Sequence, residues 1–180
     1  MISLLLPVIY LAFISLGLPD GLLGAAWPSM YGPMGADLSW AGAVSMIISA
    51  GTIVSSLASD RLNSRLGTGR VTAGSVAVTA VALLGFSLST AFWQLCLWAI
   101  PYGLGAGSVD AALNNYVALH YESRHMSWLH CMWGIGASIG PVIMGWALAA
   151  DSWQGGYRTI ALMQAAVSYT HLTLPTILRV

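Results

Sequence analysis

The chain has no lysine; its six basic residues are all arginine, and six acids balance them to a formal net charge of zero. Without a basic excess nothing is available to grip a polyanion, which excludes nucleic acid as a partner. Charge of either sign is scarce: 7% of 180 residues, against about 25% in soluble domains. That leaves too little polar surface to cover a globule in water. Cysteine is nearly absent too, with Cys96 and Cys131 both inside apolar runs, so neither a disulfide framework nor a cysteine-based zinc site can be assembled. Charged or Gly/Ser/Pro-rich low-complexity tracts are missing, and disorder is not expected. What is present is apolar, at 57% of the chain. The class is an all-α, polytopic membrane protein.

A bilayer core of about 30 Å takes roughly 20 residues of helix. Five stretches meet this requirement, 4–28, 40–58, 71–90, 93–120 and 127–150, and a sixth starts near Tyr157 and is expected to end near Val167. Most of the charge falls in the breaks at 60–70, 121–125 and 151–158. Counting arginines, Arg61, Arg65, Arg70 and Arg124 lie on one side and Arg158 on the other, which places the amino terminus in the cytoplasm. Trp27, Trp40, Trp93, Trp146 and Trp153 sit near the opposite ends of the spans, where amphipathic rings prefer the interface. The first span lacks a leading positive charge and exceeds the roughly 7–15 apolar residues of a signal peptide, so cleavage is not expected. Residues 168–180 hold Thr170, Thr173 and Thr176, all poor helix formers, and the helix-breaking Pro175. They read as a non-native or truncated tail, leaving 1–167 as a helical half-bundle cut within its sixth span.

Ionisable residues inside a span cost on the order of 2.5–3.5 kcal/mol on insertion scales and are functional hypotheses by default. Asp20 follows Pro19 in the first span, and Asp110 lies near the middle of the fourth. Neither has an arginine within helical reach. Phe13, Gly17, Asp20, Gly24, Trp27 and Tyr31 recur at steps of three and four, as do Gly103, Gly107, Asp110, Asn114, Val117 and Tyr121. Each stripe therefore occupies one helix face. The competing reading is a protonated aspartate bonded to a neighbouring helix, which explains one such residue better than two matched stripes. Ser45, Ser49, Thr52, Ser56 and Ser59 form a further face, read as helix–helix contact. In the fifth span His130 and Trp133 share a face with Gly140, and Gly140–Pro141 weakens the helix as a hinge requires. His130 is open to two readings, solute or proton handling and plain packing.

Three other patterns carry little. The glycines of 103–108 resemble a dinucleotide loop without its preceding strand. His120, His125 and His130, five apart, rotate around a helix instead of converging, so no metal site is expected. Ser108 has no nucleophile motif around it. No cofactor is expected, and the chain does not read as an enzyme.

The order of spans, the arginine-bearing break after the second and the Gly–Pro in the fifth resemble the amino-terminal half of a major facilitator superfamily transporter. The strings GLPDGLLGAAWP, GLGAGSVDAALNNY and LHCMWGIGASIGP are similar to those of fucose-permease-like sugar transporters. The likeness covers about residues 4–167. It implies half of a twelve-helix bundle, with about five complete transmembrane helices and a truncated sixth, in a bacterial inner membrane. Asp60, Arg61, Arg65, Gly67 and Arg70 match the superfamily's cytoplasmic latch loosely, with Ser56 where its glycine is expected. Gly136, Gly140 and Pro141 resemble the antiporter-associated motif, whose closing glycine pair is half present as Met144–Gly145.

The resemblance also implies acids in spans one and four that serve coupling and sugar recognition, which fits Asp20 and Asp110 as proton-coupling residues. Asn114, Asn115, Trp27, His130 and Trp133 are the expected solute contacts, Asp60, Arg61, Arg65 and Arg70 the cytoplasmic gate, and Pro19, Gly140 and Pro141 the hinges. The expected partners are a small polar solute such as a sugar, protons, membrane lipid and a missing carboxy-terminal half. A non-transporting membrane subunit and a membrane-embedded enzyme are the alternatives.

Overall fold

A computed structural model describes residues 2–150 and 152–173. Asp151 and residues 174–180, with Thr176 and Pro175 of the expected tail, lie outside the described residues. Seven α-helices follow one another: α1 (Ile2–Gly17), α2 (Leu22–Met30), α3 (Ala41–Leu66), α4 (Thr68–Leu88), α5 (Phe92–His120), α6 (Ser123–Ala149) and α7 (Trp153–Thr173), with a 3-10 turn at Leu38–Trp40. No strand occurs among the described residues. α1 and α2 run on as one apolar stretch, so six helical segments, numbered here as the first to sixth crossings, follow one another among the described residues. Leu5–Met30, Leu38–Leu66, Thr68–Leu88 and Ser123–Ala149 are long and apolar enough to cross a bilayer unaided. α5 and α7 carry more polar side chains, including Asp110, Asn114, Gln164 and Ser168.

Several breaks are tighter than the charge pattern suggests. Asp60, Arg61 and Arg65 were expected in a loop but lie on the last turns of α3, and Arg70 is on the first turn of α4. The segment ASDRLNSRL keeps apolar Leu62 and Leu66 four apart, and Arg65 suits the negative end of the helix dipole. Gly67, at φ +80°, supplies the whole turn, a conformation that side chains resist. α6 begins at Ser123, four residues before the expected start. α7 runs to Thr173, past the expected end at Val167, so the expected boundary at 167 falls inside a helix. Ser168 explains this continuation: its hydroxyl donates to the Ala73 carbonyl of α4 at 2.9 Å. Burial against another helix overrides the weak propensity of the threonines.

The first crossing breaks because Pro19 has no N–H to give the Ser15 carbonyl and its ring clashes there. Leu18 to Gly21 form a turn, with Asp20 N–H donating to Gly17 O at 3.1 Å and Leu22 N–H to Pro19 O at 3.0 Å. The freed Ser15 carbonyl is not left bare. Gln164 of α7 donates its side-chain amide to it at 2.9 Å, in a buried position, as a low-dielectric interior demands.

Packing follows an exchange pattern. The first crossing lies on the fifth, the second on the fourth, and the third on both the sixth and the fourth. Exchanging spans one, two and three with four, five and six reproduces the first–fifth, second–fourth and third–sixth pairs, as expected of two related three-helix units, whereas the third–fourth pair maps onto a much slighter contact between the first and the sixth. Both lateral seams use glycine. A Cβ on Gly17 would meet the Trp133 carbonyl, on Gly136 the Ile14 carbonyl, and on Gly140 the Leu18 carbonyl. Across α3 and α5, a Cβ on Gly103 would strike Ile48 O and one on Gly107 would strike Thr52 O. Of the hydroxyl face on α3, Thr52 donates to Ile48 O at 3.0 Å and to Gly103 O at 3.4 Å, and Ser56 to Gly107 O at 3.3 Å. Ser45 and Ser49 are exposed instead.

Gly140–Pro141 therefore does close-packing work within a continuous α6: the Pro141 ring faces Gly21 at the break in the first crossing. Gly140→Val should lower stability by about 1–3 kcal/mol, read as a reduced thermal midpoint in detergent. Gly145, where a Cβ meets nothing within 4 Å, should tolerate valine within about 0.5 kcal/mol. Equal losses at the two positions would contradict a tight seam.

Candidate functional site

The two glycine seams hold α1, α3, α5 and α6 around one hollow of about 300 Å³, open on one side. Phe13 and Leu16 reach it from α1, Asp20 from the break, Ile48 and Thr52 from α3, Tyr102, Ala106 and Asp110 from α5, and His130 and Trp133 from α6. Helices α4 and α7 stand behind these and contribute nothing to the lining. Both in-span carboxylates thus face the same space.

Each carboxylate is held by one donor. The Trp133 indole N–H donates to Asp20 Oδ2 at 2.8 Å. One turn beyond Asp110, Asn114 donates its amide to Oδ1 at 3.0 Å. The Asn114 side-chain carbonyl oxygen is buried with no hydrogen-bond partner among the described residues. His130 lines the same hollow as Asp110, its Nδ1 lies 2.9 Å from Met126 O, and its ring sits 6.5 Å from that of Phe13.

The exchange pattern extends to the hollow. Gly17 and Asp20, and Gly107 and Asp110, are each three residues apart on equivalent spans. Gly17 packs on the backbone of Trp133, and Gly107 on that of Thr52; both of those residues line the hollow. In each case a glycine brings a partner helix against the carboxylate-bearing one, and that helix delivers a hydrogen-bonding side chain to the hollow, Trp133 onto Asp20 itself and Thr52 to the shared lining.

Other expected contacts lie elsewhere. Trp27 is 3% exposed and packs in the core, donating its indole N–H to Leu38 O at 2.8 Å with Phe92 edge-on at 6.3 Å. The break at Pro19 shifts the helical phase, so the rhythm that led from Asp20 to Trp27 no longer describes one face. Asn114 is half-buried and outside the lining, tied to the hollow only through its bond to Asp110, and Asn115 is exposed and outside the lining as well. Asp60, Arg61, Arg65 and Arg70 are exposed, and among the described residues no ion pair joins them. The one such pair is Arg124–Glu122, at 3.0 Å.

Tyr102 and Thr52 were missed as lining residues. Tyr102, Ala106 and Asp110 are spaced by four, a signal visible in the sequence but masked by the glycines on the adjacent face. Gln164 was missed as well; a lone glutamine in an apolar helix is its only sign. The histidines at 120, 125 and 130 do not gather, and among the described residues no cluster suits a metal ion.

Comparison with known proteins places this arrangement. The chain is similar to two proteins of Mycobacterium tuberculosis, from strains CDC 1551 / Oshkosh and ATCC 25618 / H37Rv, each named an uncharacterized MFS-type transporter. Each is 28% identical over 136 residues, covering 73% of this chain and 20% of the relative. The chain thus spans about a fifth of the length of these relatives. Residues 9–175 match the family model of the Major Facilitator Superfamily. A match reaching from the first crossing into the sixth leaves a single assignment: this multi-pass membrane chain belongs to the Major Facilitator Superfamily.

Proposed function

We propose that the chain is the amino-terminal part of a proton-coupled carrier for a small, hydroxyl-rich solute such as a sugar, working by alternating access. The observation that carries this reading is the placement of Asp20 and Asp110 on one open hollow, with the Trp133 indole on Asp20. In this reading Asp20 takes the proton. Protonation removes the charge whose burial opposes closure, so the loaded carrier can reorient. Asp110, oriented by Asn114, accepts hydrogen bonds from solute hydroxyls, while Trp133 and Tyr102 offer apolar faces and Thr52 and His130 further polar contacts. The arginine asymmetry supports an amino terminus in the cytoplasm, and the family resemblance supports a bacterial inner membrane as the site.

A second half-bundle, supplied by the rest of a longer protein, closes the open side of the hollow. Asp60, Arg61, Arg65 and Arg70 then find gate partners on that half, which accounts for their exposure here. Pro19 serves as the hinge, with the Gly140–Pro141 contact as its bearing.

In the complete carrier, Asp20→Asn should abolish uphill, proton-driven uptake in vesicles while sparing solute exchange. Unchanged uphill uptake would remove Asp20 from coupling. Asn114→Ala should raise the solute concentration for half-saturation about tenfold by releasing Asp110, with proton stoichiometry unchanged. Wild-type binding by this variant would count against the solute site drawn here. Trp27→Phe should cost about 1 kcal/mol of stability through the lost bond to Leu38 and leave solute affinity alone, as measured by thermal shift and equilibrium binding.

A further inference from the structure

Helices α4 and α7 put no residue on the hollow, yet one part of its wall depends on them. Tyr102 lines the hollow from α5, at the point where that helix supports a side chain least. Pro101 precedes it and has no N–H for the Leu97 carbonyl, and Gly103 and Gly105 follow it. On a helix the neighbours that flank a side chain stand three and four residues away, here Trp98, Ala99, Gly105 and Ala106. All but Trp98 are small. Trp98 is drawn off to α4, where its indole fills the place that a Cβ on Gly85 would take. On its own helix, then, Tyr102 has no bulky neighbour to fix its ring.

The ring is fixed from behind instead. Phe86 of α4 stands edge-on to it, with ring centroids 6.2 Å apart and planes at 85°. Tyr157 of α7 stacks on Phe86 at 5.5 Å and 12°, and Trp153 meets Tyr157 edge-on at 6.1 Å and 88°. Edge-to-face and offset-stacked pairs at these spacings are what aromatic quadrupoles favour. A series of ring contacts therefore runs from the first turn of α7, through α4, to the wall of the hollow. Phe86, Tyr157 and Tyr102 are all buried, so water does not interrupt it. In a close-packed interior a ring wedged between an edge and a face cannot flip without displacing its neighbours. The Tyr157 hydroxyl is buried with no hydrogen-bond partner among the described residues. An unpaired buried hydroxyl is a cost, so this position uses the ring of Tyr157 and not its polar tip.

We propose that Phe86, clamped by Tyr157, is a positioning residue for Tyr102. It holds the Tyr102 ring at one angle in the wall of the hollow, so that α4 and α7 shape a site they do not touch. That a solute meets this ring rests on the carrier reading above. The hold on the ring does not, and it is tested without a solute.

The 180-residue chain is labelled with 3-fluorotyrosine and followed by fluorine NMR in detergent. It has seven tyrosines, and the signals missing from Tyr102→Phe belong to Tyr102. A fluorine on one edge of a held ring reports two environments; on a freely flipping ring it reports one average. Tyr102 should give two lines in the wild type. Phe86→Leu, apolar but without the flat edge, should merge them into one, as should Tyr157→Leu. Where Phe86→Leu fails to fold, Phe86→Met, read in the same way, takes its place. Tyr157→Phe should keep both lines with an equal or higher thermal midpoint, since the ring stays and the unpaired hydroxyl goes. Leu129→Ala, in a different part of the core, should lower the thermal midpoint and leave both lines in place, which separates a loosened bundle from a loosened ring. The proposal is overturned if wild-type Tyr102 gives a single line, if Phe86→Leu keeps two, if Tyr157→Phe merges them, or if Leu129→Ala merges them as readily as Phe86→Leu. None of these results touches the carrier reading, which stands or falls on uphill uptake by Asp20→Asn.

Discussion

Backbone-to-backbone approach at Gly17, Gly136, Gly140, Gly103 and Gly107 is the constraint on which the rest of this bundle depends. In a lipid environment apolar side chains gain nothing by leaving one hydrocarbon neighbour for another, so association rests on close packing and hydrogen bonds. Where two glycines let main chains touch, dispersion contacts are dense, and side chains flanking the seam are pushed to its edges. Asp20 and Trp133 emerge at the edge of one seam, Asp110 and Thr52 at the edge of the other. The hollow is the space between these two edges, and its polarity follows from the seams' spacing.

That geometry also explains why two carboxylates are tolerated at membrane depth. A lone aspartate in lipid would be unsolvated, whereas an open hollow admits water and each acid has a fixed donor. Trp133 and Asn114 act from different directions, one across a seam and one along its own helix. The two acids are thus equivalent in position but not in support. The bond between helices depends on α1 and α6 keeping their contact; the bond within α5 does not.

Much of this was legible in the residues. Hydropathy located the succession of helices, and Asp20 and Asp110, singled out as acids within apolar stretches, do line one hollow, although most residues of the two stripes drawn through them do not. The errors have physical causes. Charge at 60–65 suggested a loop because charged residues avoid lipid, yet a helix can project past the bilayer, and α3 does so until Gly67 stops it. The threonines after Val167 suggested helix termination from local propensity, which the Ser168–Ala73 bond between α7 and α4 overrides. Trp27 was assigned to the solute face by counting through Pro19 as though the helix were continuous. The partner of Gln164 could not be read, because its bond to Ser15 exists only through contact between distant segments.

The Gln164–Ser15 bond joins positions 149 residues apart, and this separation sets a timetable for biogenesis. Ribosomes add about 5–20 residues per second, so the first crossing waits on the order of ten to thirty seconds for the amide that satisfies its broken turn. During that interval the carbonyl at Ser15 must be served by water or by the insertion machinery. A nascent chain stalled before its sixth crossing therefore carries an unsatisfied turn in its first, at a place where quality control can sense that the partner helix has not yet arrived.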